Sequence, residues 1–209
     1  VQLELIDHLD IPVLKMVIGG SMGGMQALEW AARYPKRIRA CVPIAATAKV
    51  SPLTIAFDAV GRNAINIRNE DPAIHAQGLK IARQLGHITY LSESSMEQKF
   101  SRRLQNEPSL SYKIDWEFEV ESYLNYQSDK FLSRFSPYSY AYLTKAVSYF
   151  DLEASYGSLS QAFNTSNARF LVVAIRSDWL YTPSQSKTIA RSLMRLNKDV
   201  TYIAIDSDY

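Results

Sequence analysis

The chain has 209 residues, 47% of them hydrophobic and 21% charged, with a formal net charge of +2 and one cysteine. That length supports one domain with a substantial core, or a core plus an insertion, and the composition is that of an ordinary soluble globular protein. No basic run points to nucleic acid, no apolar stretch reaches the length of a membrane span, and no secretory leader opens the sequence. The single Cys41 excludes an internal disulfide, so a cytoplasmic location is expected.

Residues 1–9 carry Leu5, Ile6 and Leu9 at helical spacing, and Asp10-Ile11-Pro12 ends that helix. Val13, Leu14, Met16 and Val17 read as a short buried strand running into Ile18. Gly19-Gly20-Ser21-Met22-Gly23 then satisfies G-x-S-x-G, and residues 22–33 continue as a helix with Met25, Leu28 and Ala32 at helical spacing. Strand, tight turn and helix is the setting that makes this motif a nucleophile elbow. A serine at the apex takes a strained backbone conformation, and neighbours without a Cβ avoid collision with it. The turn lifts the hydroxyl clear of the sheet and places the Met22 N–H at a helix N-terminus, where it can hold a developing oxyanion. A phosphate-binding glycine loop is the alternative. The sequence lacks the Lys-Ser/Thr pair of a P-loop and does not match G-x-G-x-x-G, so the elbow is preferred.

Tyr34-Pro35 closes the helix, and residues 39–45 read as the next parallel strand. Cys41 lies within it, a buried and inert thiol. Residues 1–45 thus form a helix–strand–helix–strand unit of a doubly wound sheet. From about Ser51 strand-like runs disappear for about a hundred residues. Helices are expected over 52–68, over 77–91 with an apolar stripe of Ile81, Leu85 and Ile88, over 116–125 and over 136–149, with Asn69-Glu70-Asp71-Pro72 as a break and 102–111 as an irregular loop. Arg83, His87 and Tyr90 fall on the stripe opposite the apolar one. Such a segment inside an α/β chain reads as an inserted helical lid. The α/β texture returns with a short helix at 159–163, a buried strand at 169–175, a loop at 176–183, an amphipathic helix at 185–196 and a last strand at 200–205. A further loop begins at 206–209. The expected organisation is therefore an α/β core over 1–50 and 151–209, with a helical lid over 51–150.

A serine hydroxyl needs a base within hydrogen-bond reach, and the base needs an orienting carboxylate. Asp178 directly follows a strong core strand, where sheet enzymes place catalytic loops, and is the candidate acid. The histidines are His8, His75 and His87, all preceding Asp178. The first falls in the opening helix and the others in the helical insertion, so each reads as a surface or packing residue. No group of residues suggests a metal.

The stretch Gly19-Gly20-Ser21-Met22-Gly23-Gly24-Met25-Gln26-Ala27-Leu28-Glu29-Trp30 resembles the signature of the homoserine O-acetyltransferase family, within the α/β-hydrolase fold. Asn69-Glu70-Asp71-Pro72, residues 78–83, Gly86-His87-Ile88-Thr89-Tyr90-Leu91-Ser92, Met96-Glu97-Gln98-Lys99-Phe100 and Ser177-Asp178-Trp179-Leu180 agree with it. The resemblance implies that Ser21 is the nucleophile, Asp178 the triad acid, Arg83 the arginine that binds the substrate carboxylate and Tyr90 a residue of the same pocket. It implies an acetyl transfer from acetyl-CoA to L-homoserine, with no bound cofactor, and a homodimer formed through the lid. A succinyltransferase, or an esterase or deacetylase on the same triad, is the alternative. There are departures. The family has a Gly-His-Asp stretch after the last strand and further sheet strands before residue 1, the segment between Pro72 and Gly78 is short, and Ser101 stands where the family has glycine. Without the histidine, the 209 residues by themselves are expected to lack turnover.

Overall fold

Parallel strands cannot be joined by tight turns, so each needs a crossover, and apolar strands alternating with amphipathic helices answer that need here. The computed structural model describes residues 1–105, 109–112 and 114–207. The expected loops at 102–111 and 206–209 therefore lie partly outside the described residues. In chain order the first elements are α1 (Gln2–His8), β1 (Val17–Gly20), α2 (Met22–Arg33) and β2 (Ala40–Ile44). Five helices follow: α3 (Pro52–Ile65), α4 (Pro72–Tyr90), α5 (Glu93–Phe100), α6 (Glu119–Leu132) and α7 (Pro137–Ser148). The chain continues with α8 (Leu152–Tyr156), α9 (Leu159–Phe163), β3 (Arg169–Ile175), α10 (Pro183–Arg195) and β4 (Val200–Ile205). These form two compact units, one of residues 1–50 and 150–207 and one of residues 51–149.

The first unit is built on a parallel sheet of order β1-β2-β3-β4. Register places Val17 beside Cys41, Cys41 beside Phe170 and Phe170 beside Val200, so these side chains share one sheet face. That face packs on Leu28 and Ala31 of α2, Phe163 of α9, and Ile189 and Leu193 of α10, all nearly solvent-free. Each such Leu, Ile or Phe contributes roughly 1.5–3 kcal/mol on burial. On the opposite face Ile18, Ile203 and Ile205 are exposed. The strand order advances in one direction, so the reversal of a doubly wound sheet does not occur among these four strands. The first strand is also shorter than expected. Leu14 makes an isolated bridge to Ile38, and regular pairing begins only at Val17.

The second unit is helical, and its caps explain the helix ends. Ser51 accepts from the Thr54 N–H and is followed by Pro52 at the first helical position, while Asn66 closes α3 in the left-handed region. Asp71 repeats the device with the Ala73 N–H and Pro72. What reads as a break is therefore also a start, and α4 begins five residues before the expected residue 77. The orientation of α4 also departs from expectation. Ile81 and Ile88 are exposed, and the buried face carries His75, Gly78, Leu79, Ala82, His87 and Thr89. The reason is steric: a Cβ on Gly78 would collide with the Ala64 carbonyl and the Ile65 Cα. This small-residue face lets α4 lie close against α3, a contact that the larger Ile81–Ile88 side could not make. The helix α5 was not anticipated; Ser92 caps it through the Ser95 N–H. The helix α6 begins at Glu119 rather than 116, and the Glu121 carboxylate accepts from the Glu117 and Phe118 N–H groups. Lys80 pairs with Asp129 at 2.7 Å, joining α4 to α6.

Candidate active site

The elbow is assembled by two backbone bonds at one residue. The Ser21 N–H donates to the Ile44 carbonyl at 2.9 Å, completing the ladder between β1 and β2, and the Ser21 carbonyl accepts from the Met25 N–H at 3.1 Å, opening α2. Serving both elements forces a sharp reversal, and Ser21 adopts φ 52° and ψ −121°. A left-handed φ at a residue with a side chain costs on the order of 1–3 kcal/mol and marks functional turns. The Ser21 side chain is exposed and makes no capping bond, so its hydroxyl is not consumed by the helix it precedes. Met22 is the first residue of α2. Its N–H belongs to the first turn, which has no partner within the helix and carries the positive end of the macrodipole.

The glycines divide the work unequally. A Cβ on Gly19 would overlap the Gly23 carbonyl, and one on Gly24 would lie 2.6 Å from the Ala46 Cβ. A Cβ on Gly23 would meet nothing within 4 Å. Steric need at both glycines of G-x-S-x-G, as expected from the sequence, is thus corrected: Gly19 answers it and Gly23 does not, while Gly24, just past the motif, does.

Asp178 lies in the turn after β3, its N–H donating to the Ile175 carbonyl at 3.2 Å. Its Oδ1 accepts from the Leu180 N–H at 2.9 Å and the Tyr181 N–H at 2.8 Å. Burial raises the carboxyl pKa, and the two amides partly oppose that shift. β1, β2 and β3 are adjacent and parallel, so Ser21 and Asp178 both emerge at the C-terminal edge, separated by the width of two strand spacings, roughly 10 Å. A third group of imidazole length would bridge such a gap. His8 sits exposed on α1. His75 is buried, with Nε2 2.8 Å from the Asn69 carbonyl oxygen and its ring edge-on to Tyr138. His87 is buried with Nδ1 3.2 Å from the Tyr123 hydroxyl. Cys41 is also committed: its Sγ–H donates to the Ala27 carbonyl, and burial raises its pKa to about 12.

Within the helical unit, Arg83 and Tyr90 lie together on α4, the guanidinium carbon 5.5 Å from the Tyr90 ring centroid. A second ring, Phe131 of α6, lies 4.5 Å from that carbon. Sequence reasoning did not find Phe131, nor Tyr123, which fixes His87. Neither lies in a distinctive motif, and their roles follow from how α6 packs on α4. Among the described residues no three His, Cys, Asp or Glu side chains converge as metal ligands, and no helix is long and apolar enough to cross a membrane.

The family model for the alpha/beta hydrolase fold matches residues 1–207. The chain belongs to that family. Among curated relatives, it is 47% identical to a homoserine O-acetyltransferase of Methanococcus vannielii, over 100% of this chain and 44% of the relative. It is 44% identical to one of Solidesulfovibrio magneticus, over 100% of this chain and 55% of the relative. The chain thus spans about half the length of the curated relatives it matches. The crystal structure of a homoserine O-acetyltransferase from Bacillus anthracis superposes with a TM-score of 0.87 at 22% identity, over 99% of this chain and 57% of that one. Esterase E22 superposes equally well, with a TM-score of 0.86 at 22% identity over 99% and 58%. Likeness at that level establishes the fold and does not choose between transfer and hydrolysis.

Proposed function

We propose that this chain is the part of a homoserine O-acetyltransferase that carries the nucleophile, its acid and the acceptor-binding arginine. The observation that carries the reading is the 47% identity, across the full 209 residues, to a relative of that name. The Ser21 Oγ attacks the thioester carbonyl of acetyl-CoA, and the oxyanion is held by the Met22 N–H and a donor from outside this chain. The C–S bond breaks, CoA leaves as the thiol, and an acetyl ester remains on Ser21. The side-chain hydroxyl of L-homoserine then attacks that ester, its proton passes to the base, and Ser21 is regenerated. Asp178 orients the base. His75 and His87 are held by partners in the helical unit, and the base of this reading is a histidine outside the 209 residues. Arg83 binds the acceptor carboxylate with its planar fork, beside Tyr90. Residues 51–149 act as the lid that keeps water from the acyl-enzyme. No cofactor is bound, and acetyl-CoA is a co-substrate. The same reading places the protein in the cytoplasm as a homodimer formed through the helical unit, whose exposed Ile74, Ile81 and Ile88 recur every seven residues along α4 and support an apolar contact there.

The test is a donor and acceptor screen on the complete protein. Acetyl-CoA and L-homoserine should give O-acetylhomoserine, and Ser21→Ala should abolish covalent acetylation of the protein. Release of acetate at the same rate with and without homoserine would instead make the protein an esterase, and a preference for succinyl-CoA would change the donor.

A further inference from the structure

Arg83 is held in an unusual way. Among the described residues no carboxylate pairs with it, and its Nε is buried without a hydrogen-bond partner. Its surroundings are aromatic: Phe131 on one side at 4.5 Å and Tyr90 on another at 5.5 Å. A guanidinium seated on ring faces keeps its charge uncommitted, and its direction depends on where those rings stand.

Phe131 is fixed by rings from beyond its own helix: it stacks at 4.7 Å on Phe135, just after α6, and meets Tyr140 of α7 edge-on. Tyr90 is different. It is 56% exposed at the last residue of α4 and needs a support of its own. Its hydroxyl reaches back over Gly86, 3.4 Å from where a Cβ would stand. His87 meets the Tyr90 ring edge-on at 5.7 Å. The imidazole is 8% exposed and its Nε2 has no hydrogen-bond partner, so its placement comes from Nδ1, which is hydrogen-bonded to the Tyr123 hydroxyl at 3.2 Å. Tyr123 in turn packs on Phe100 at 4.9 Å, with the Lys99 ammonium 4.3 Å from its ring centroid.

We propose that His87 is a positioning residue for Arg83, acting through Tyr90: the chain Tyr123–His87–Tyr90 holds the ring against which the guanidinium is aimed. The inference rests on the reading that Arg83 binds the acceptor carboxylate. It requires an uncharged imidazole, since a third cation beside Arg83 and Lys99 would disturb the seat. Burial first, then the charges of Arg83 and Lys99, lower the His87 pKa to about 4.

The test uses the complete protein and two readouts, the single-turnover rate of Ser21 acetylation by acetyl-CoA and the KM for homoserine. His87→Ala should raise the acceptor KM about tenfold or more while acetylation stays within about twofold. His87→Asn restores a hydrogen-bond partner for the Tyr123 hydroxyl, whichever of the two donates, and should bring KM back to within about threefold of the parent. Lys80→Ala removes another tie between α4 and α6, the 2.7 Å ion pair with Asp129, and should leave KM unchanged. A parental KM in His87→Ala overturns the proposal. So does a rise shared equally by Lys80→Ala, or a joint fall of both half-reactions, since each marks general loosening. Arg83→Ala run alongside separates the levels. If it leaves KM unchanged, the acceptor-site reading itself fails. If it raises KM and His87→Ala does not, only the positioning role falls.

Discussion

A Cβ on Gly19 would overlap the Gly23 carbonyl, whereas a Cβ on Gly23 would meet nothing within 4 Å. The two glycines of G-x-S-x-G are therefore not equivalent. Gly19→Ala must push β1 away from α2, and Gly23→Ala has room and also gains helix propensity. We expect Gly23→Ala to keep or raise thermal stability, by up to about 1 kcal/mol. Gly19→Ala should destabilise by roughly 1–3 kcal/mol or more. Thermal unfolding of the two variants compares them directly, and equal losses would show that the close approach is relieved elsewhere.

The buried carboxyl of Asp178, the proposed triad acid, is held at some cost to stability. Burial raises its pKa while the Leu180 and Tyr181 amides oppose that. A carboxyl whose folded pKa lies above its unfolded value binds more protons when folded, so its contribution falls as pH rises from the ordinary carboxylate range through the raised value. Asn in its place keeps an oxygen for both amides and has no charge to bury. Asp178→Asn should therefore be at least as stable as the parent at neutral pH, and its acyl transfer should fall by several orders of magnitude, about 10⁴-fold in the template serine triad. A variant that unfolds more easily at pH 7 would show that the charge itself holds the loop.

Ser21 and Asp178 were legible because their signals are local. One sits in a fixed-spacing motif between strand and helix, and the other directly follows an uninterrupted apolar strand. The helices α2, α7 and α9 and the strands β3 and β4 were legible for the same reason, through period and punctuation. The packing face of α4 was not. Its most apolar stripe, Ile81–Leu85–Ile88, points largely outward, because close approach to α3 is decided by the missing side chain at Gly78 and not by hydrophobicity. Helices of five to eight residues give too few turns for a dependable period, so α1 and α9 were read from it while α5 and α8 escaped. Tyr90, on the same helix, was legible as a neighbour of Arg83, but Phe131 and Tyr123 come from α6, more than thirty residues away in sequence, and no spacing rule connects them to Arg83 and His87.

The α3–α4 contact gives a third prediction. Gly78 sits where a methyl group would strike backbone rather than a flexible side chain, and the small core of Ile65, Leu79 and Ala82 lies beside it. Gly78→Ala should open that core and destabilise the helical unit by roughly 1–3 kcal/mol or more, despite the better helix propensity of alanine. Hydrogen exchange should show faster exchange in α3 and α4 with the strands unchanged. Uniform loss across both units would contradict it.

Arg83→Lys tests the proposed acceptor site by shape, separately from its charge. Lysine keeps one positive charge but has no planar fork to lie between Tyr90 and Phe131 or to grip a carboxylate with two parallel bonds. The acceptor KM should rise about tenfold or more while the rate of Ser21 acetylation is retained. Loss of acetylation with an unchanged KM would move Arg83 out of the acceptor site.

The last prediction concerns acid. His87 is buried against Tyr90 and Tyr123, with Arg83 on its own helix and Lys99 on α5, and its pKa falls to about 4 from an ordinary value of 6.5. A histidine with a depressed folded pKa binds fewer protons folded than unfolded between those two values. Stability is therefore unaffected by this group above about pH 6.5 and declines as pH falls from there toward 4. Replacing His87 with Gln removes the titration, so the variant should lose less stability than the parent on going from pH 7 to pH 4.5, whatever its starting value. Chemical denaturation at the two pH values gives both differences. Equal declines in parent and variant would mean that His87 takes up its proton in the folded state, through a rearrangement that lets the imidazole reach water.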